Sequence, residues 1–418
     1  MPKKNKPKNV EIRTYQVGFG DCFLLTFKYA SYDRHVLIDF GSMALPDGAR
    51  RGHMLNVARQ IKADCDGSLD IVIATHRHKD HISGFATNKR GTAPGNVIAS
   101  CKPKFVIQPW TENPRAVTDA DTADMTAVRA FTNSLDHMHR VAEAAVRAAR
   151  VLRSAATRKV IKQLDYLGQD NIKNRSAVEN LMTMGKNYYV NHGDKLPLSK
   201  LLPGVKVHVL GPPSLKQSGE IAKQRHRDAE EFWHLQAMAG DPTGDAGHVL
   251  FPDVASRQTP IYARWFRQRL RSLRADMMLS IVRILDKQMN NTSIILLFEV
   301  NGKFLLFPGD AQIENWRYAL DQETDAKLLR KVTVYKVGHH GSLNATPKTL
   351  WNLFDKKGPA GRSGRLKSIL STREDVHGSE AAGTEVPRTK LVNALRKNTD
   401  FLTTQSFEVS ETSRLVRL

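Results

Sequence analysis

Four side chains that can bind metal ions fall within six positions of the chain, directly after a short apolar segment. The segment reads Leu-Asp-Ile-Val-Ile-Ala at 69–74, and Thr-His-Arg-His-Lys-Asp-His follows at 75–81. Alternate side chains of an extended chain point the same way, so His76 and His78 can bind one ion. If the chain then turns, Asp80 and His81 can face a second ion. Imidazole and carboxylate together suit zinc, manganese or iron. The alternative interpretation is a polar loop rich in histidine.

Three further segments place chemically useful side chains at the ends of apolar runs. Residues 36–41 read Val-Leu-Ile-Asp-Phe-Gly, residues 303–311 read Lys-Phe-Leu-Leu-Phe-Pro-Gly-Asp-Ala, and residues 334–342 read Val-Tyr-Lys-Val-Gly-His-His-Gly-Ser. With His-x-His-x-Asp-His at 76–81, these segments resemble the motifs of the metallo-β-lactamase-fold hydrolases, in the same order along the chain. Each short motif is weak evidence alone, and their shared order makes the resemblance specific.

Two more segments narrow the resemblance to the hydrolase domain of bacterial DNA-uptake proteins, the ComEC-like group. Val-Gly-Phe-Gly-Asp-Cys at 17–22 is similar to the opening of that domain. Asn-Asn-Thr-Ser-Ile-Ile-Leu at 290–296 resembles the strand that precedes its Gly-Asp motif. The resemblance covers residues 10–90, about 190–213 and 288–345, with a weaker tail to 418. It implies an α/β fold, the αββα metallo-β-lactamase sandwich, with two divalent ions at one edge, zinc first and manganese second.

The resemblance also implies a ligand set: His76, His78, Asp80, His81, Asp310 and His340. The first two would bind one ion and the next two the other, while Asp310 would bridge both ions and His340 would complete the second. Asp80 and His339 are the candidate catalytic residues, and His339 also competes with His340 as a ligand. Two ions about 3.5–4 Å apart activate a shared water and hold both oxygens of a phosphodiester.

Asp39 and Asp21 are expected behind the ligands. Asp39 would orient a ligand histidine, and Asp21 would either do the same or cap a turn between two strands. Many relatives place one more histidine ligand between the two halves of the domain. His192 is the best-placed candidate, although its Asn-His-Gly-Asp segment resembles a structural turn. The other candidates are His208, His226, His234 and His248. The first ion could instead keep extra water, as an open catalytic site does.

The chain is strongly basic. Its 418 residues include 63 Lys and Arg against 42 Asp and Glu, a formal charge of +21. That excess favours nucleic acid as a partner, and the alternative is a protein that is merely basic. On a helix over 262–275, four arginines would form one stripe suited to successive phosphates: Arg264, Arg267, Arg271 and Arg274. The alternative for this stripe is a solvated helix face paired with acidic neighbours.

The resemblance implies one hydrolase domain over 10–418, and a basic arm precedes it at 1–9. Strands are expected at 10–17, 22–29, 35–39, 69–74, 104–107, 303–307 and 334–337, a turn followed by a strand within 200–210, and a helix at 55–63. Helical insertions are expected at about 115–185 and 214–288. A strand at 368–371 and a helix at 388–397 are expected to finish the sheet.

Three cysteines cannot form a disulfide framework and suit a reducing compartment. No apolar run approaches the length of a membrane span. We therefore expect a free-standing cytoplasmic protein that does not use a membrane as a partner. The leading functional hypothesis is a metal-dependent phosphodiesterase or nuclease, with DNA favoured. The alternatives are a small-molecule hydrolase of the same fold and a binding subunit whose metal site is structural. Proteins resembling this group also occur in prokaryotic anti-phage operons, which implies a protein partner.

Overall fold

Two mixed β-sheets and the helices that cover them make up the described part of the chain. The computed structural model describes residues 5–113, 174–214, 216–218, 289–342, 346–376, 378, 380, 385–408 and 410–418. Its strands are β1 (Asn9–Tyr15), β2 (Cys22–Lys28), β3 (Asp33–Phe40), β4 (Ile71–Ile73), β5 (Phe105–Pro109), β6 (Lys186–Val190), β7 (Val205–Gly211), β8 (Ile295–Val300), β9 (Lys303–Phe307), β10 (Val334–Lys336), β11 (Lys367–Leu370), β12 (Asp400–Thr403) and β13 (Ser413–Arg417). Its α-helices are α1 (His53–Asp64), α2 (Lys79–Ile82), α3 (Pro94–Ser100), α4 (Arg175–Thr183), α5 (Ile313–Asp321), α6 (Glu323–Arg330), α7 (Lys348–Leu353) and α8 (Thr389–Asn398).

The two sheets are built on the same plan. The first has the order β13-β1-β2-β3-β4-β5-β6, and the second has the order β12-β11-β10-β9-β8-β7. In the first sheet β3 to β6 run parallel, and in the second β9 to β12 run parallel. The remaining neighbours are antiparallel. Loops that follow parallel neighbours leave a sheet at the same edge, so each sheet offers one edge for a site.

The inner faces of the sheets pack against each other. The central core contains residues from both sheets, including Phe23 against Phe307, with ring centroids 5.8 Å apart. Phe27 and Phe298 lie 6.1 Å apart in the same core. Burial of these rings removes large apolar areas from water, which is the main favourable term in such packing.

Helices cover the outer face of each sheet. Helices α1, α3 and α4 place buried apolar side chains against the first sheet, and α5 to α8 do the same for the second. Trp316 of α5 is fully buried there. The layers run helices, sheet, sheet, helices, an α/β arrangement compatible with the expected sandwich. Within the described residues, no helix combines the length and the apolar character that crossing a bilayer requires.

The strands expected early in the chain and around the motifs are present with shifts of a few residues at their ends. The expected strand at 368–371 and helix at 388–397 are present as β11 and α8. The expectation that they finish the sheet was wrong, because β12 and β13 follow α8 and form one edge of each sheet. Strand β13 pairs with β1, which lies about 400 residues earlier in the chain. Its sequence is Ser-Arg-Leu-Val-Arg, and all five residues are at least partly exposed, so no long apolar run marks it. The two expected insertions lie mostly outside the described residues; helix α4 belongs to the end of the first.

Candidate metal centre

Three loops at one edge of the two sheets carry the predicted ligands. Residues 75–81 follow β4, residues 308–310 follow β9, and residues 338–341 follow β10. The two sheets are joined at this edge, where the N–H of Ile294 donates to the carbonyl oxygen of Thr75 at 2.9 Å. The site is therefore assembled from both halves of the fold.

Two glycines allow the loops to approach this closely. Gly309 has φ +55°, and a Cβ there would lie 2.7 Å from the Cβ of Thr75. A Cβ on Gly41 would lie 2.4 Å from the backbone of Asp80 and of His81. Neither position accommodates a larger residue without moving the loop that holds the ligands.

Four ligand atoms from these loops face one another. We call this set the quartet: Asp80, His81, Asp310 and His340. Their candidate ligand atoms all lie within 4.8 Å of one another. Nε2 of His81 is 3.2 Å from Oδ2 of Asp310, and Nε2 of His340 is 2.8 Å from Oδ2 of Asp80. Each side chain of the quartet is at least 95% buried.

The spacing of the quartet fits a metal ion. Ligands about 2.0–2.1 Å from a tetrahedral ion lie about 3.3 Å apart, and three of the four contacts within the quartet measure 3.2, 3.7 and 3.7 Å. The fourth is the 2.8 Å hydrogen bond between His340 and Asp80, which an ion between these atoms would replace. Nε2 of His81 and Oδ1 of Asp80 are buried without a hydrogen-bond partner. Although His81 lies near Asp310, the pair is not in line for a hydrogen bond. Buried polar atoms are rarely left unpaired, and a shared cation would satisfy them.

The outer ring nitrogens of the quartet histidines are occupied. Nδ1 of His340 lies 2.9 Å from the carbonyl oxygen of Ser371. Since a carbonyl oxygen only accepts, this Nδ1 carries a proton, while Nε2 faces the quartet and is hydrogen-bonded to Oδ2 of Asp80. Nδ1 of His81 lies 2.8 Å from Oδ2 of Asp39, which orients that ring in the same way. Such partners fix the tautomer that a metal-binding histidine needs.

Asp39 holds two neighbours of the centre in place. Besides His81, it accepts hydrogen bonds from the backbone N–H of Thr75 at 2.7 Å and from its hydroxyl at 2.8 Å. Asp39, His339 and His340 all have positive φ, between 42° and 54°. L residues seldom adopt this conformation, and it concentrates at functional sites. Asp39 thus contacts His81, a candidate ligand, and its role in orienting that ring for a metal ion stays a prediction.

His76 and His78, the histidine pair, lie beside the quartet. Nε2 of His76 is 3.0 Å from Nδ1 of His78, and both form a cluster with Asp80. Both residues are buried. Asp80 therefore belongs to both clusters, as a residue between two ions would.

The described candidates for an additional histidine ligand lie elsewhere. Nε2 of His192 is 2.6 Å from Oδ2 of Asp325, and Nε2 of His208 is 3.0 Å from Oε2 of Glu299. Neither histidine belongs to a metal-type cluster among the described residues. His226, His234 and His248 lie outside the described residues, as do all four arginines of the predicted stripe.

His339 lies beside the quartet and is partly exposed. Its side chain is 24% exposed, and its Nε2 lies 3.9 Å from Oδ2 of Asp310. Its Nδ1 lies 2.8 Å from the hydroxyl of Ser342. His340, rather than His339, completes the quartet, so His339 remains the candidate for contact with substrate.

The carboxylates set the charge of the centre. Burial lowers the pKa of His340, but Asp310, Asp80 and Asp21 outweigh burial and raise it to about 9. Burial raises the pKa of Asp310, but nearby histidines hold it well below its usual value. Burial, together with His81 and His78, lowers the pKa of His76 far below the ordinary value. The quartet favours cations, and binding of a divalent cation would displace protons from it.

Two positions near the centre were not singled out by sequence reasoning. Thr75 connects Asp39 to the second sheet, as described above. Lys336 of β10 is only 1% exposed and forms an ion pair with Asp21. The sequence signal for Lys336 was a single lysine inside the apolar run Val334–Val337, which ends immediately before Gly-His-His. A buried ammonium needs a carboxylate partner, so such a lysine predicts an ion pair. Asp21 is buried beside the ligands and pairs with this lysine.

A cavity of about 910 Å³ in the described part of the chain is lined by none of the candidate ligands and not by His339. Its lining includes Thr372, which follows the partner of His340, and Gly18. Charges of both signs line it, including Arg50 and Glu374.

A comparison with protein-family models found no match to this chain, and a comparison with curated proteins found no similar sequence. The resemblance to the metallo-β-lactamase-fold hydrolases therefore depends on the motifs and stays a prediction. The fold and the buried clusters define an α/β protein with a candidate metal centre between two sheets.

Proposed function

We propose that the chain is a metal-dependent hydrolase of the metallo-β-lactamase fold and that it cleaves phosphodiesters in nucleic acid, with DNA favoured over RNA. The observation that carries this proposal is the convergence of Asp80, His81, Asp310 and His340 from three separate loops. Imidazole and carboxylate ligands in this number suit zinc first and manganese second. When bound, divalent ions supply Lewis acidity toward a phosphoryl oxygen and lower the pKa of water.

The chain's own residues would hold the ions and contact the substrate. Asp80 lies between the quartet and the histidine pair and would keep two ions adjacent. Asp310, whose Oδ2 faces His81 and His340, would help to hold the ion of the quartet, and the bridging role that the resemblance implies for it stays a prediction. His339, the exposed member of the group, would contact the substrate phosphate or the leaving oxygen. The burial of the other ligands excludes bulk water, which strengthens electrostatic interactions at the centre.

The choice of nucleic acid as substrate rests on charge. A net charge of +21 favours association with a polyanion. Changing the predicted stripe at Arg264, Arg267, Arg271 and Arg274 to Gln is expected to weaken binding across sequences. The salt slope should fall by up to about four units, roughly one for each lost phosphate contact. Cleavage of a small chromogenic phosphodiester should stay unchanged, because the ligands are untouched.

The direct test combines metal analysis with cleavage assays. Purified protein would be analysed for bound zinc and manganese and incubated with labelled single- and double-stranded DNA and RNA. We expect two divalent ions per chain, and cleavage of DNA that stops on chelation and returns with added metal. Equal salt dependence of the stripe variant and the wild type would contradict the role of the arginines. Bound metal without cleavage of any substrate would instead favour a structural centre.

A further inference from the structure

A buried lysine lies directly behind one of the proposed metal ligands. Lys336 is the last residue of β10, and its side chain is 2% exposed. Removing an ammonium group from water costs several kcal/mol unless its charge is paired and its protons are used. The surroundings of Lys336 therefore show what this charge does for the fold.

Three oxygen atoms of described residues lie near the ammonium of Lys336. Its Nζ forms an ion pair with Asp21 and donates a hydrogen bond to the carbonyl oxygen of Gly309 at 3.3 Å. The same Nζ lies 3.7 Å from Oδ1 of Asp310. Two of the three contacts are thus with the Gly-Asp segment that carries the proposed bridging ligand.

The two oxygens of Asp310 have different surroundings. Oδ1 lies near Lys336 and accepts a hydrogen bond from the backbone N–H of His339 at 3.1 Å. Oδ2 faces the imidazoles, 3.2 Å from His81 and 3.7 Å from His340. Donors occupy one oxygen, and the other is turned toward the quartet.

We propose that Lys336 is a positioning residue that holds Asp310 so that only Oδ2 is offered to metal, an inference that rests on the proposed metal centre. The ammonium attracts Oδ1 and anchors the backbone at Gly309. Without this charge, Asp310 could rotate and offer either oxygen to an ion held by the quartet, which would change the ligand set and weaken binding. Lys336 acts through Asp310 and does not itself touch the ions.

A purely structural role makes a different prediction. Asp21 is buried, lies 3.8 Å from Nδ1 of His81 and from Nδ1 of His340, and would be left unpaired without the lysine. If Lys336 serves only to neutralise Asp21, then removing both charges should restore the centre. The double variant Asp21→Asn/Lys336→Met removes that charge conflict while the long side chain of Met fills the space.

The experiment compares Lys336→Met and the double variant with the wild type. Thermal unfolding of metal-free protein would report stability, while titration with Co²⁺ would report affinity and the visible spectrum of the bound ion. A control, Lys206→Met, removes an exposed lysine that pairs with Glu299 on the second sheet. The control is expected to match the wild type in every measurement.

We expect the double variant to recover the midpoint of unfolding lost in Lys336→Met but to bind Co²⁺ about 10- to 100-fold more weakly than wild type, the usual effect of losing a partner of a ligand. Its visible spectrum should differ, since the coordination changes. Wild-type affinity and spectrum in the double variant would overturn the inference. If only Lys336→Met fails to fold, the double variant still decides, and if both fail, Lys336 is a fold residue and the inference is wrong.

Failure of the proposed function gives a separate result. A wild-type protein that binds Co²⁺ yet cleaves no phosphodiester would contradict the phosphodiesterase proposal while leaving the role of Lys336 to the titration. A wild-type protein that binds no Co²⁺ would overturn both.

Discussion

The quartet and the histidine pair differ in the number of loops that contribute their residues and in the contacts that orient their side chains. The quartet draws its ligands from loops of both sheets, and the outer nitrogens of its histidines are held by Asp39 and by the carbonyl of Ser371. The histidine pair comes from one loop and gains only Asp80 among the described residues. More ligands with fixed orientation lower the cost of ordering a site when the ion binds. We therefore expect a tight ion at the quartet and a weaker ion at the pair.

The largest effect is expected from removing two quartet ligands. In Asp80→Ala/His81→Ala, turnover should fall by at least about 10³-fold, because metal ions contribute several kcal/mol to the transition state. Elemental analysis should show the tight ion lost, while circular dichroism matches the wild type. His208→Ala, which alters a partly exposed histidine of β7, is the control. Wild-type turnover in the double variant would refute the site.

Removing the histidine pair should have a smaller effect. His76→Ala/His78→Ala is expected to lose the weaker ion and keep the tighter one, because the quartet keeps all four members. Metal content should fall from two ions to one, and turnover should fall less than in the quartet variant. Loss of both ions would show that the two clusters depend on each other. It would contradict the expected difference between a tight ion at the quartet and a weaker ion at the histidine pair.

Replacing Asp39 tests whether its contact with His81 supports the quartet. In Asp39→Asn the side-chain oxygen can still accept from Thr75, but the charge that orients Nδ1 of His81 is lost. Metal affinity at the quartet should fall by about 10- to 100-fold. Chelator competition would measure this, and an unchanged affinity would show that Asp39 serves Thr75 alone.

The smallest effect on the centre is expected at His192. Because its Nε2 pairs with Asp325, His192→Ala should leave metal content at the histidine pair unchanged. The free energy of unfolding should fall by about 1–2 kcal/mol for the lost hydrogen bond. Loss of the weaker ion in this variant would identify His192 as the additional histidine ligand. The weaker site would then include a residue from outside the loop at 75–81.

The early strands and the heptapeptide at 75–81 were predictable because their signals are local. Strands β2 and β4 are buried on both faces and read as apolar runs. Strands β6, β12 and β13 carry exposed or partly exposed residues and gave no such run. Their position depends on pairing with strands that are distant in the chain, which local patterns do not report.

By itself, the sequence determined which side chains could bind metal and where strands end beside them, because ligand type and strand period are local properties. The tertiary structure decided which of those side chains lie close together. It joined Asp310 and His340 to Asp80 and His81, placed His192 against Asp325, and put Lys336 behind Asp310. The physical reason is that contacts between two packed sheets depend on close approach of loops far apart in the chain, and residue types alone do not encode those distances.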